Sequence, residues 1–94
     1  MLSQNKAQRV VRILKAVSHP IRLQIVNMLC ADECDVSGMA QALGVKQSLV
    51  SQHLAQLRLT DLVKAERSGN RAIYSLKEPL LRDLVSCFDK CTER

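Results

Sequence analysis

A single glycine does most to limit what this 94-residue chain can fold into. In "VSGMAQALGVKQSLVSQHLAQLR", residues 36–58, Gly44 separates two stretches whose apolar residues recur at helical spacing. Met39, Ala40 and Leu43 line the inner side of the first, from about Val36 to Leu43. Gly44 then stops it, since glycine enters the left-handed region after a last helical turn without steric cost. The second stretch runs from about Gln47 to Leu59, with Leu49, Val50, Leu54 and Leu57 as buried positions. Ser48, Ser51, Gln52 and Gln56 are left outside. The pattern is a short helix, a tight turn and a longer helix whose outer face is polar but nearly uncharged.

The flanking chain supplies more helix and one hairpin. From Ser3 to Val17, apolar Val10, Ile13, Leu14 and Val17 share one helical side, with Lys6, Arg9, Arg12 and Lys15 mostly elsewhere. "SHP" at 18–20 breaks that helix, because a residue before proline avoids helical dihedrals while proline suits the first turn of a new helix. A second helix follows from about Pro20 to Cys30, and the acidic "ADECD" reads as a connector whose carboxylates favour the positive end of the next helix. After "RLTD" the period changes: two short runs around Ser68-Gly69-Asn70 make a β-hairpin. Pro79 opens a last helix to about Cys91. The expected order is α-α-α-α-β-β-α in one domain spanning residues 1–94.

Size and charge narrow the function classes. A chain this short buries a marginal core, so a second copy would help it. With 47% apolar and 24% charged residues it is globular, and with only Tyr74 and Phe88 aromatic its core is aliphatic. Neither a membrane-length apolar run nor a leader pattern is visible, so the expected location is the cytoplasm, away from membranes, where thiols stay reduced. Residues 1–30 carry Lys6, Arg9, Arg12, Lys15 and Arg22 without an acid, a basic excess suited to a polyanionic partner. Catalysis has little support: Ser51 and His53 are two apart on a helix, no acid orients the histidine, and there is no Gly-rich phosphate loop.

Gln and Ser on an exposed helix can bond base edges in the major groove while basic flanks hold phosphates. Lys46, Arg58, Lys64, Arg67 and Arg71 supply such flanks. Glycine-linked helices also occur in many all-α cores, where a Ser/Gln face is merely solvated. The hairpin favours nucleic acid, because Arg67 and Arg71 on either side of its tip can lie along a groove or backbone. The combination is more specific than either half.

"LKAVSHPIRLQIVNML", "MAQALGVKQSLVSQHLAQLR" and "GNRAIYSL" resemble the ArsR/SmtB family of winged-helix repressors over nearly the whole chain. The resemblance implies a mostly α, winged helix-turn-helix homodimer paired through its first and last helices. It implies binding to an inverted repeat of double-stranded operator DNA and release by an inducer. Carried onto this sequence, the DNA-binding residues are Lys46, Gln47, Ser48, Ser51 and Gln52, with Arg67 and Arg71 in the wing. His53 either joins them or packs between helices.

The inducer reading rests on four cysteines, in "CADEC" at 30–34 and "CFDKC" at 87–91. Family arsenic or cadmium sites have a C-x-C setting at the third helix; here Cys34 stands alone, with Asp35 and Ser37 in place of thiols. The family's zinc site uses histidines on the last helix, and residues 72–94 contain none. Sulfide and persulfide sensors of the family use one cysteine near the second helix and one on the last, for which Cys30 or Cys34 with Cys87 or Cys91 are candidates. No resident cofactor is required in that reading. A soft metal or metalloid inducer, As(III), Cd(II) or Pb(II), is the alternative if three thiols converge. A cysteine-based metal- or sulfur-handling protein without DNA binding is a separate class. The plainest reading is packing: Leu80, Leu84, Cys87 and Cys91 form one apolar stripe, as do Leu23, Val26 and Cys30.

Overall fold

A computed structural model describes the backbone of residues 1–92 and the side chains of residues 1–88. Helix α1, Gln4–Ala16, starts where the Ser3 side chain accepts the Lys6 N–H at 3.2 Å. His19 caps α2, Pro20–Ala31, by accepting the Ile21 N–H on Nδ1, and Pro20 occupies the first turn as its fixed φ allows. Helix α3 covers Val36–Leu43 and α4 Gln47–Leu59. Gly44 between them has φ 68°, which lets the Val45 N–H reach back to the Ala40 carbonyl at 3.1 Å.

The same reversal ends α4 with a less permissive residue. Asp61 has φ 62°, and the Leu62 N–H bonds the Leu57 carbonyl at 2.9 Å. Leu57 and Leu62 are both fully buried, giving this cap the apolar closure that accompanies it. Strands β2, Val63–Ser68, and β3, Arg71–Leu76, then form the hairpin, turning on Gly69 at φ 66°. Helix α5 runs Leu80–Thr92.

One expectation needs correction. "ADECD" is more than a connector: Cys34–Asp35 is a short strand, β1, pairing antiparallel with β3 through Cys34↔Tyr74 and Asp35↔Ile73. The sheet therefore has three strands in the order β1-β3-β2. The stripe Leu80, Leu84, Cys87, expected on a dimer-forming helix, is not closed within one protomer. Leu81 and Val85 are buried instead, while Leu80 and Leu84 are half-buried and Cys87 is exposed.

The core is aliphatic, as composition requires: Ile25, Val26, Met39, Val50, Leu54, Leu57, Leu62 and Leu81 are all at 0% exposure. Arg9 of α1 grips Glu78 ahead of α5, and Glu78 also accepts the Leu80 N–H, so one buried carboxylate joins the terminal helices. Beside it, Val10, Ile13, Leu14, Leu80, Asp83 and Leu84 line an open apolar recess of about 270 Å³ between α1 and α5.

Candidate nucleic-acid interface

The burial of α4 decides which residues it presents. With successive residues turned by about 100°, Val50, His53, Leu54 and Leu57 fall on one side, and all four are buried. Gln47, Ser48, Ser51, Gln52 and Ala55 fall on the opposite side, and all are exposed. Ala55 is not singled out by sequence because alanine suits either side of a helix; here it leaves the face flat beside Ser51 and Gln52. Among the described residues nothing satisfies the side chains of Ser48, Ser51 or Gln52, whereas Gln47 Nε2 makes a long 3.4 Å contact with Ser37 Oγ on α3. Lys46 stands exposed at the head of α4 and its side chain makes no capping bond. The positive helix end beside a lysine is suited to a phosphate.

His53 does not belong to that face. It is at 8% exposure on the inner side, with Nδ1 accepting from Arg22 Nε at 3.0 Å. Its packing alternative is the one realised, because position 53 lies next to the Val50–Leu54–Leu57 side of the helix.

The wing arginines separate as well. In the register Ser68↔Arg71 and Arg67↔Ala72, Arg67 and Arg71 project to opposite faces of the hairpin. Arg67 lines a groove of about 330 Å³ with Arg58, Ala65 and Tyr74, between the end of α4 and the wing. Arg71 instead donates through Nε and Nη2 to Asp35 Oδ2, each at 2.8 Å. Asp35 Oδ1 meanwhile accepts the Gly38 N–H at 2.9 Å and caps α3. That backbone bond first, and the Arg71 pair second, hold the Asp35 carboxyl below its ordinary pKa. Sequence reading missed this lock because it joins residues 36 apart; the cap itself was visible as an acid just before a helix. Among the described residues, Lys46, Arg58 and Arg67 are the flanking cations without an ion pair, while Lys64 lies 3.8 Å from Glu66.

The cysteines occupy three environments. Cys30 is half-buried at the end of α2, where Arg82 of α5 donates to its carbonyl at 2.8 Å. Cys34 lies in β1 with its Sγ 3.4 Å from the Asp35 carbonyl, over Gly38, where an added Cβ would come within 2.8 Å of the sulfur. Cys87 is exposed on α5. Cys91 falls on the α5 backbone, but its side chain lies outside the described residues. Among the described residues no three His, Cys, Asp or Glu side chains group to hold a metal ion, and no helix is long and apolar enough to cross a membrane.

A short first helix, a glycine turn, an exposed second helix and a wing form the frame of known DNA-binding regulators, and the model of the bacterial regulatory protein arsR family matches residues 19–65. The chain belongs to the ArsR family. Proteins of this family are DNA-binding transcriptional regulators. This ArsR-family chain is 34% identical over 83 residues to the biofilm growth-associated repressor of Xylella fastidiosa, an alignment covering 88% of this chain and 73% of that protein. The solved structure of HlyU from Vibrio cholerae matches with a TM-score of 0.88 at 30% identity, covering 99% of this chain and 100% of that one. HlyU is named a transcriptional activator. A homodimeric winged helix-turn-helix DNA-binding domain from Mycobacterium bovis matches with a TM-score of 0.79 at 29% identity, covering 98% of this chain and 88% of that one.

Proposed function

We propose that this ArsR-family chain is a homodimeric repressor of an inverted-repeat operator and that thiol chemistry at its cysteines releases it. The observation carrying the first half is the outer face of α4, where Gln47, Ser48, Ser51 and Gln52 stand exposed around a helix otherwise anchored in the core. In this reading they bond base edges, and Lys46, Arg58 and Arg67 hold phosphates. A second subunit covers the open α1/α5 recess and places its own α4 about one turn of DNA, ~34 Å, away.

The second half is supported by Arg82, which ties the end of α2 at Cys30 to the helix that carries Cys87 and Cys91. A thiolate of Cys30 attacks the outer sulfur of a low-molecular-weight persulfide and displaces its thiolate, leaving a Cys30 persulfide. A thiolate of α5 then attacks the inner sulfur and expels hydrosulfide, closing a disulfide. Such a bridge straps α2 to a dimer-facing helix. It changes operator affinity by the difference in stability of the two forms, about 1–3 kcal/mol for a several-fold to roughly hundredfold effect.

Anisotropy titration of an inverted-repeat duplex from the chain's own promoter, with and without a persulfide donor, tests both halves. Affinity is expected to fall on treatment, to return with dithiothreitol, and to ignore the donor in Cys30→Ser. Binding that is indifferent to persulfide removes the sensing half alone. No binding at low salt removes the repressor reading, and a promoter reporter that falls on deleting the gene assigns activation instead.

A further inference from the structure

Behind the outer face of α4, one imidazole joins three helices. Arg22 of α2 donates through Nε to His53 Nδ1 at 3.0 Å, and through Nη1 to the Ala16 carbonyl at the end of α1 at 3.3 Å. The His19 ring lies against His53, with centroids 4.4 Å apart. An accepting Nδ1 leaves the proton of neutral His53 on Nε2. That Nε2 is the buried side-chain nitrogen or oxygen with no hydrogen-bond partner among the described residues.

We infer that Arg22 and His53 form a positioning clamp for the recognition helix, through which the ends of α1 and α2 set the angle at which α4 presents Ser48, Ser51 and Gln52 to DNA. The inference rests on the DNA-binding reading above. The apolar contacts of Val50, Leu54 and Leu57 hold α4 against the core but are non-directional and permit small rotations. A hydrogen bond at mid-helix is directional and does not. A half-buried guanidinium facing a neutral ring is also a costly way to obtain stability alone, since an apolar pair would avoid the desolvation. Because α1 also lines the open recess that a second subunit would cover, the clamp connects the dimer face to the DNA face.

The clamp has a protonation requirement. An imidazolium loses the acceptor lone pair and sets its charge against Arg22. The groups acting on His53 are Arg22 and His19, both at the start of α2, while α1 contributes the Ala16 carbonyl to Arg22. Burial first, then His19 and Arg22, push its pKa below the ordinary 6.5. The clamp is therefore closed at neutral pH and opens as pH falls below that value.

Operator affinity of the full chain at constant ionic strength, measured near pH 7.5 and at the lowest pH at which the helical circular dichroism is unchanged, provides the test. Wild type is expected to bind roughly tenfold more weakly in acid, the scale of one lost charge-assisted hydrogen bond. His53→Gln offers Arg22 an amide oxygen that does not titrate, and is expected to keep neutral-pH affinity with a flat profile. Arg22→Met is expected to bind weakly at both pH values with dimer mass and helical circular dichroism unchanged. His19→Asn, which keeps the cap but removes one of the charges that depress His53, is expected to keep neutral-pH affinity with an acid fall that begins at higher pH. A His53→Gln profile as steep as wild type, or Arg22→Met binding as wild type does, overturns the clamp. Wild type that binds no operator at pH 7.5 overturns the repressor reading and the clamp with it.

Discussion

Helices α1 and α4 are each 13 residues long and both amphipathic, yet they complete their burial in different ways. Val50, Leu54 and Leu57 of α4 are at 0% exposure within one chain. Helix α1 buries Ile13 and Ala16 but leaves Val11 at 48% and Leu14 at 45% exposure. A helix closed by its own protomer has an outer side available for a ligand. A helix left half open has a second apolar side that only another molecule can cover.

The largest effect that separates the two is in folding. Leu54→Ala is expected to cost about 2–5 kcal/mol in urea denaturation, because it opens a cavity under α4. Leu14→Ala is expected to change low-concentration stability by less than about 0.5 kcal/mol and to show itself as a weaker dimer in sedimentation. Equal losses would remove the distinction. Next in size is binding: Ser48→Ala with Gln52→Ala is expected to reduce operator affinity by at least roughly tenfold while leaving the melting temperature unchanged.

A smaller effect tests the terminal helices by pH. The hydrogen bond from Arg9, more than the Leu80 N–H, holds the Glu78 carboxyl below its ordinary 4.5. A carboxyl depressed in the folded state binds fewer protons there than when unfolded, so its stabilisation is present above 4.5 and lost as pH falls below it. Glu78→Gln is expected to flatten that part of a stability-pH curve. The smallest effect is at the end of α4, where Asp61→Gly relieves a left-handed residue and is expected to stabilise by up to about 1 kcal/mol, offset by loss of its exposed Lys77 pair.

Much of the fold is legible in the sequence where the signal is local. Gly44 and Gly69 sit at positive φ where the turns require it, and the expected helices appear within a residue or two. What is not legible is non-local. Asp61 adopts the left-handed cap without glycine because Leu62 buries against Leu57. Cys34–Asp35 becomes a strand because β3 passes beside it, and two residues carry no period to detect. Arg71 reads as a free wing cation until Asp35 arrives beside it.

The same division holds for the site. By itself the sequence determined the helix–turn–helix, the hairpin and the polar outer face of α4, because helical spacing and turn sterics act over three or four residues. Only tertiary structure decided that His53 faces inward onto Arg22, that Arg67 and Arg71 part to opposite faces, and that Cys30 meets α5 through Arg82. Each of these depends on segments distant in sequence being brought within hydrogen-bond reach, which a local pattern does not encode.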